Sequence, residues 1–258
     1  MGLRLKLSKK DAGITAAALL CALLIGFLFA TVRLSAAPNR EQTRAGAHRI
    51  AAHSVRNSVT APVKTYGSKS APIMVVAFTD YQCPGCRALY EEALKPMIAD
   101  YVASGKVYLI HHDFPLAMHQ YSGQAARWAN ASAMVGDFGS VEAALFDNQP
   151  AWAGDGDIAK YVQQALPPAD FRRVEAIMKD CTMPAPQATT PDVDPLAKSG
   201  HGCPVDAYIA PDIKMGFGVP VNYTPTYIIY YKGQKVASSS DIVSWPILKQ
   251  FFDSLLNR

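Results

Sequence analysis

Ile73-Met74-Val75-Val76-Ala77-Phe78-Thr79-Asp80-Tyr81-Gln82-Cys83-Pro84-Gly85-Cys86 is an apolar run that ends in two closely spaced cysteines. The run from Ile73 to Thr79 reads as a strand buried on both faces of a sheet, and the stretch from about Pro84 to Tyr101 as the helix that follows it. Two cysteines one helical turn apart share a face, close enough for a disulfide to form and break. The same spacing makes half of many zinc sites, so the tetrapeptide alone is weak evidence. Its place at a strand-to-helix junction is what turns the reading toward redox chemistry.

Working outward, a second strand at Val107 to His112 completes a βαβ unit, which favours parallel pairing. Val63 to Tyr66 reads as a short edge strand in a domain that starts near Pro62. From about Tyr121 to Asp180 the apolar residues fall at helical spacing, as in Ala125, Trp128 and Ala129, then Val141 and Leu145, then Ile158 and Val162, then Val174 and Met178. Breaks are predicted at Asp137-Phe138-Gly139, Gly154-Asp155-Gly156 and Pro167-Pro168. Thr182 to Gly202 lacks periodicity and reads as an exposed loop. A helix near Val205 to Gly216 follows. Thr226 to Tyr231 then reads as a strand, Lys232-Gly233 as a tight turn, Gln234 to Ala237 as its partner, and Ser244 with Pro246 as the start of the last helix.

Composition excludes some classes. The chain of 258 residues is half hydrophobic and 18% charged, which is a globular composition. Its net charge of +4 is carried by Arg4, Lys6, Lys9 and Lys10 near the start and by Arg33, Arg40, Arg44, Arg49 and Arg56 further on, leaving residues 61–258 slightly acidic. No concentrated basic face remains for phosphates, so no nucleic-acid partner is expected.

No charged residue lies between Ala12 and Val32. About 21 residues at 1.5 Å rise per residue span a bilayer's hydrocarbon core, so residues 12–32 are predicted to be a transmembrane anchor. A cleaved signal peptide is the alternative, with Ser35-Ala36-Ala37 as its site; Pro38 immediately after it disfavours cleavage. Cys21, inside the segment, reads as a small apolar residue. Residues 1–11 are then a cytoplasmic tail and residues 33–60, rich in Ala, Arg and Ser, a flexible linker. Basic residues balance across the segment, so orientation is taken from the short tail and from the even number of cysteines outside it, which suits an oxidising compartment. The predicted location is the inner (cytoplasmic) membrane, single-pass, with the domain facing the periplasm or cell exterior.

Three pieces of residues 61–258 resemble the thioredoxin fold in its DsbA-like form, an α/β fold carrying a helical insertion, here at about residues 118–217. They are Phe78-Thr79-Asp80-Tyr81-Gln82-Cys83-Pro84-Gly85-Cys86, Asp113-Phe114-Pro115-Leu116, and Gly218-Val219-Pro220-Val221-Asn222-Tyr223-Thr224-Pro225-Thr226. The resemblance implies that Cys83 is the attacking and attacked sulfur and Cys86 the resolving thiol. It implies too that Pro225 is a cis proline beside them, with the Thr224 backbone pairing with an extended substrate segment. Pro84 suits the first helical turn, where its missing N–H costs nothing. Gly85 adds no side-chain hydrogen bond, which leaves the redox strength open. Tyr81 belongs to the supporting motif. Asp80 has three readings: proton acceptor near Cys86, helix cap, or solvated side chain.

Cys181 and Cys203 read as a structural disulfide. The rivals are a redox relay with Cys83 and Cys86, or a zinc site using His201 beside Cys203. His111, His112 and His119, around the end of the second strand, read as solvated loop histidines, and Trp128, Trp152 and Trp245 as packing. The expected function is a thiol:disulfide oxidoreductase, without cofactor or metal, that forms disulfides in unfolded or reduced exported proteins and is reoxidised by a membrane quinone-linked thiol oxidase. The alternatives are a periplasmic reductase for a dedicated client such as apocytochrome, and a metal-binding or scaffolding domain with cysteine ligands.

Overall fold

A computed structural model describes residues 63–182, 184–189 and 203–258. The predicted tail, anchor and linker, Cys21, Ser35-Ala36-Ala37 and His201 lie outside these residues. Among the described residues no helix is long and apolar enough to cross a membrane.

The apolar run becomes β2 (Ile73–Thr79), the middle strand of a five-stranded sheet. Its neighbours are β3 (Val107–Asp113), parallel, and β4 (Thr226–Tyr231), antiparallel; β1 (Thr65–Tyr66) and β5 (Gln234–Ser239) form the edges, in the order β1-β3-β2-β4-β5. Thr79 pairs with Asp113 and Phe78 with Thr226, so the C-terminal end of β2, the end of β3 and the start of β4 lie side by side. This register brings three loops distant in sequence to one edge, where the cysteines sit. At the other end Lys232 (φ 49°) and Gly233 (φ 80°) both take positive φ, which a two-residue hairpin turn requires.

The helix after β2 starts as α1 (Pro84–Leu89) but continues through a π-helical stretch at Tyr90–Leu94, an α-helical turn at Lys95–Met97 and a second π stretch at Ile98–Val102. The single α-helix predicted there is corrected in this respect, and Pro96 supplies a reason. Its ring crowds the carbonyl four residues back and it has no N–H to bond it; widening the preceding turn relieves the conflict.

Between β3 and β4 lie α2 (Ser122–Val135), α3 (Phe138–Asp147), α4 (Gln149–Asp155), α5 (Ile158–Ala165), α6 (Pro168–Met178) and α7 (Asp206–Gly218). The chain closes with α8 (Trp245–Leu256). Helix α2 is buried along nearly its whole length, because Ala125, Ala126, Ala129, Ala131 and Ala133 let other helices approach closely. Its turn out is made at Gly136 (φ 92°), so the first predicted break falls at Gly136 and Asp137, and Phe138 already belongs to α3. Helix α7 lies against the end of β3: a Cβ on Gly216 would stand 2.5 Å from the Phe114 ring.

Two buried ionic clusters bind the insertion to the sheet. Lys64 Nζ donates to Asp113 and, at 2.6 Å, to Asp212 Oδ2 on α7, while Asp212 Oδ1 meets His112 Nδ1 at 2.6 Å. His111 Nδ1 meets Glu142 Oε1 on α3 at 2.8 Å, and Tyr66 donates to the other oxygen of that carboxylate. His111 is therefore not a solvated loop residue. It shares a face of β3 with Val107 and Leu109 and is buried with them. Burial opposes its charge, but Glu142 and Asp113 outweigh that and lift it from 6.5 to about 9. Elsewhere the Arg127 guanidinium, also buried, grips Asp206 at 2.5 and 2.7 Å. Its other hydrogen bonds include the carbonyl of Pro184, at 3.2 Å.

Cys181 and Cys203 are joined in a disulfide that spans 22 positions of sequence. Cys203 is thus not a free thiolate for the rival zinc site. Closing a loop of that size restricts the unfolded chain by about 3 kcal/mol on chain-entropy arithmetic. Replacing both residues by serine is expected to lower the unfolding free energy of the full chain by about that amount, read as a lower urea midpoint, with a steeper slope because the unfolded chain is no longer cross-linked.

Candidate active site

Cys83 forms the N-cap of α1 with extended backbone angles (φ −73°, ψ 123°), and Pro84 follows in the first turn. Neither cysteine is bonded: Cys86 is wholly buried, whereas Cys83 keeps a little exposure. The Thr224–Pro225 peptide is cis, and the Cys83 thiol donates to the Thr224 carbonyl at 3.2 Å. Gly85 lies where that loop crosses the helix, since a Cβ there would be 3.2 Å from Pro225 Cδ and 3.7 Å from Cys83 Sγ. The structure thus brings Cys83, Pro84, Gly85, Cys86, Thr224 and Pro225 together. Cys181 and Cys203 lie elsewhere, between the ends of α6 and α7.

The two sulfurs have opposite acidities. Hydrogen bonding from the Cys86 thiol is the largest influence on Cys83; partial burial opposes it, and the Thr224 hydroxyl and the N–H groups of Cys86 and Gly85 add to it, so that Cys83 falls from 9.0 to about 6. Burial first, and then Cys83 itself, push Cys86 well above its ordinary value. In the neutral dithiol the Thr224 hydroxyl is buried without a partner. When Cys83 ionises it no longer donates to the Thr224 carbonyl, and this idle hydroxyl becomes a donor to the anion.

Asp80 neither caps α1 nor faces solvent, and its charge is among the influences that raise Cys86. Its carboxylate is buried, accepting the N–H groups of Gln82 and Leu116, both at 2.8 Å, and meeting His119 Nδ1 at 2.7 Å. Only its backbone N–H reaches Cys86 Sγ, at 3.2 Å. His119, like His111, is thus corrected from a solvated side chain to a paired one, as is His112 on Asp212. Tyr81 does not face the sulfurs either. Its ring stacks on His111 at 5.3 Å and packs against Phe146 at 5.1 Å, which anchors the turn in the core.

Two glutamines complete this arrangement: Gln82 stands within the motif, although its bonding did not show there, and Gln149 had no sequence signal. Gln149, at the start of α4, donates from Nε2 to the carbonyls of Tyr81 (2.6 Å) and Cys83 (3.0 Å). Gln82 donates to the Ala153 carbonyl at 3.2 Å and accepts the Tyr121 N–H at 2.6 Å. The helical insertion therefore holds the active-site turn from one side and the proline loop flanks it from the other. Among the described residues no group of three or more His, Cys, Asp or Glu side chains is placed to hold a metal ion.

An ionisable thiol at the tip of the first helix, beside a cis-proline loop and above a buried partner thiol, defines a thioredoxin-fold protein of the dithiol type. Residues 59–245 match the family model described as thioredoxin, and the chain belongs to that family. Solved structures agree on the fold. The alpha-DsbA1 of Wolbachia pipientis superposes with a TM-score of 0.55 at 15% identity, covering 75% of this chain and 90% of that one. A thioredoxin-like oxidoreductase from Silicibacter pomeroyi gives 0.51 at 21% identity, with 75% and 92% covered. The chain is 29% identical over 122 residues to a probable disulfide bond formation protein D of Bacillus cereus, a match that covers 45% of this chain and 55% of that protein. It therefore spans little more than half the length of this curated relative.

Two outcomes follow from the acidities. Thr224→Val, which removes the idle hydroxyl, is expected to raise the Cys83 titration midpoint by about one pH unit, followed by ultraviolet thiolate absorbance of the reduced protein. Because the folded Cys83 lies at about 6 against 9.0, its stabilisation of the reduced fold is complete above 9.0 and disappears as pH falls through about 6. His111, raised from 6.5 to about 9, contributes the opposite slope, complete below 6.5 and lost as pH rises through about 9. Cys83→Ser, compared with reduced wild type, should consequently show a urea midpoint that declines more steeply as pH rises from 6 to 9.

Proposed function

We propose that this chain is a thiol:disulfide oxidoreductase working through Cys83 and Cys86, and that it runs toward disulfide donation. The observation that carries the reading is the unequal pair: an acidic Cys83 that keeps a little exposure, above a wholly buried Cys86 that holds its proton. Stabilising the Cys83 anion stabilises the dithiol form, and a couple whose reduced form is stabilised is the more oxidising one. A substrate thiolate attacks Cys83 in the oxidised protein, and Cys86 leaves and takes up a proton. A second substrate thiol then attacks the bridging substrate sulfur, expelling Cys83 as a thiolate that leaves readily because it is acidic.

Substrates in this reading are unfolded or reduced exported proteins. Thr224 supports it: its carbonyl holds the Cys83 proton in the dithiol and is released in the disulfide, ready for the N–H of an extended segment. Exposed Tyr223 beside it, and exposed Ile242 beside Gly85, offer apolar contact to side chains that unfolded chains present.

The proposed setting is a domain at 61–258 carried on a linker at 33–60 by an inner-membrane anchor at 12–32, with residues 1–11 in the cytoplasm and the domain in the periplasm or cell exterior. The charge-free apolar segment supports the anchor, and the Cys181–Cys203 disulfide suits an oxidising compartment. Reoxidation is assigned to a membrane quinone-linked thiol oxidase, as the proximity to the bilayer suggests.

With a reduced, unfolded dithiol protein as substrate, the full chain is expected to form substrate disulfides, Cys83→Ser to fall to the uncatalysed rate, and Cys86→Ala to accumulate a mixed disulfide visible on a non-reducing gel. Equilibration with glutathione should place the couple above the about −270 mV of thioredoxin, displaced toward the about −120 mV of strong oxidants. A wild-type chain no faster than Cys83→Ser sinks the reading; a potential at the thioredoxin end reverses the direction of flow to the reductase alternative.

A further inference from the structure

His119 occupies the segment between β3 and α2 and shares its Nδ1 proton with Asp80 Oδ2 at 2.7 Å. The Asp80 side chain has no exposure at all, whereas His119 retains 18%. A carboxylate taken wholly out of water is costly unless an opposite charge accompanies it. Its two other donors, the N–H groups of Gln82 and Leu116, are neutral. The anion also lies at the redox centre, because the same residue's N–H bonds Cys86 Sγ at 3.2 Å. With Nδ1 committed to Asp80, the Nε2 of a partly exposed imidazole is the position that exchanges its proton with water. The titratable groups that act on His119 are Asp80, on the turn before α1, and Cys83, at the tip of α1; both raise its affinity for a proton.

We propose that His119 is a positioning residue for the redox couple: its imidazolium neutralises the buried Asp80 carboxylate, so that the Cys83 thiolate of the reduced protein forms beside a neutral pair instead of a second anion. The proposal rests on the reading of Cys83 and Cys86 as a redox couple and identifies what sets its strength. Reduction by a substrate dithiol breaks the Cys83–Cys86 bond, forms the substrate disulfide and moves two electrons to the protein. Of the two protons released by the substrate thiols, one goes to Cys86 and one to solvent, and Cys83 is left as the anion. Oxidised protein carries one charge fewer at this place. Whatever compensates Asp80 therefore favours the reduced side and makes the disulfide a stronger oxidant. By linkage, the reduced protein must in turn bind the His119 proton more tightly than the oxidised one.

The test uses the full chain as wild type, His119→Asn, Asp80→Asn and the double variant. Asparagine at 119 keeps a donor for Asp80 but no charge. The equilibrium constant with glutathione is expected to fall about tenfold in His119→Asn, which is about 30 mV for a two-electron couple, and Cys83 to titrate about one pH unit higher. In the Asp80→Asn background, where only the weaker direct attraction between His119 and Cys83 remains, His119→Asn should change both quantities by clearly less. In unsubstituted protein the His119 ring protons, followed by nuclear magnetic resonance, should titrate at higher pH in the reduced than in the oxidised state; this readout does not depend on any variant folding. A His119→Asn couple that matches wild type, an undiminished effect in the Asp80→Asn background, or one His119 titration common to both redox states overturns the proposal while leaving the oxidoreductase reading intact. Failure of Cys83 and Cys86 to pair in oxidised glutathione overturns both.

Discussion

Everything at this site depends on two sulfurs, one turn of helix apart, being held in unequal surroundings. Were both exposed, both would ionise near the ordinary thiol value and neither would be the preferred point of attack. Were Cys83 sunk as deeply as Cys86 and without its hydrogen bonds, neither would ionise. The strand-to-helix junction separates them without any special device, because the first turn of α1 points one cysteine outward to the proline loop and the next inward to the sheet. The Cys86 proton then serves twice: burial keeps it on Cys86, and it is the strongest single support of the Cys83 anion.

That separation requires the turn before α1 to stay still, and most of what holds it comes from far away in sequence. Gln149 fastens the carbonyls of Tyr81 and Cys83, Gln82 bridges to Ala153 and Tyr121, and Asp80 collects the Leu116 N–H and His119. The helical insertion is thus part of the site's frame, although it contributes no sulfur chemistry. Tyr81 shows the same logic from within the motif, since its ring is spent on packing against His111 and Phe146 while its carbonyl is held by Gln149.

The sequence was most legible where one local rule governs the outcome. A both-faces-buried apolar run gave β2, the CxxC after it marked α1, aromatic and β-branched periodicity marked β4, and Lys232-Gly233 marked its turn. The site residues found this way are those whose role is written in their own position: Cys83, Cys86, Pro84, and Pro225 in its Thr-Pro-Thr context. Partners that meet only in three dimensions were illegible. His111 looks like a loop histidine until Glu142, 31 positions away, is placed against it. Asp80 offered three readings because its true partner, His119, is an unremarkable residue of a connecting segment. Gln149 has no pattern around it at all, and the π turns around Pro96 reflect a backbone conflict that side-chain periodicity does not record.

The first strand carries a consequence of its own. Only Thr65 and Tyr66 pair with β3, too little ladder to keep an edge from fraying. Yet Lys64 is sunk between Asp113 and Asp212, and Tyr66 is tied to Glu142, so each side of this short ladder is riveted to a different layer of the molecule. Peeling the seam open means stripping a buried ammonium from two carboxylates, so this edge is held by charge where its ladder is too short to be held by pairing.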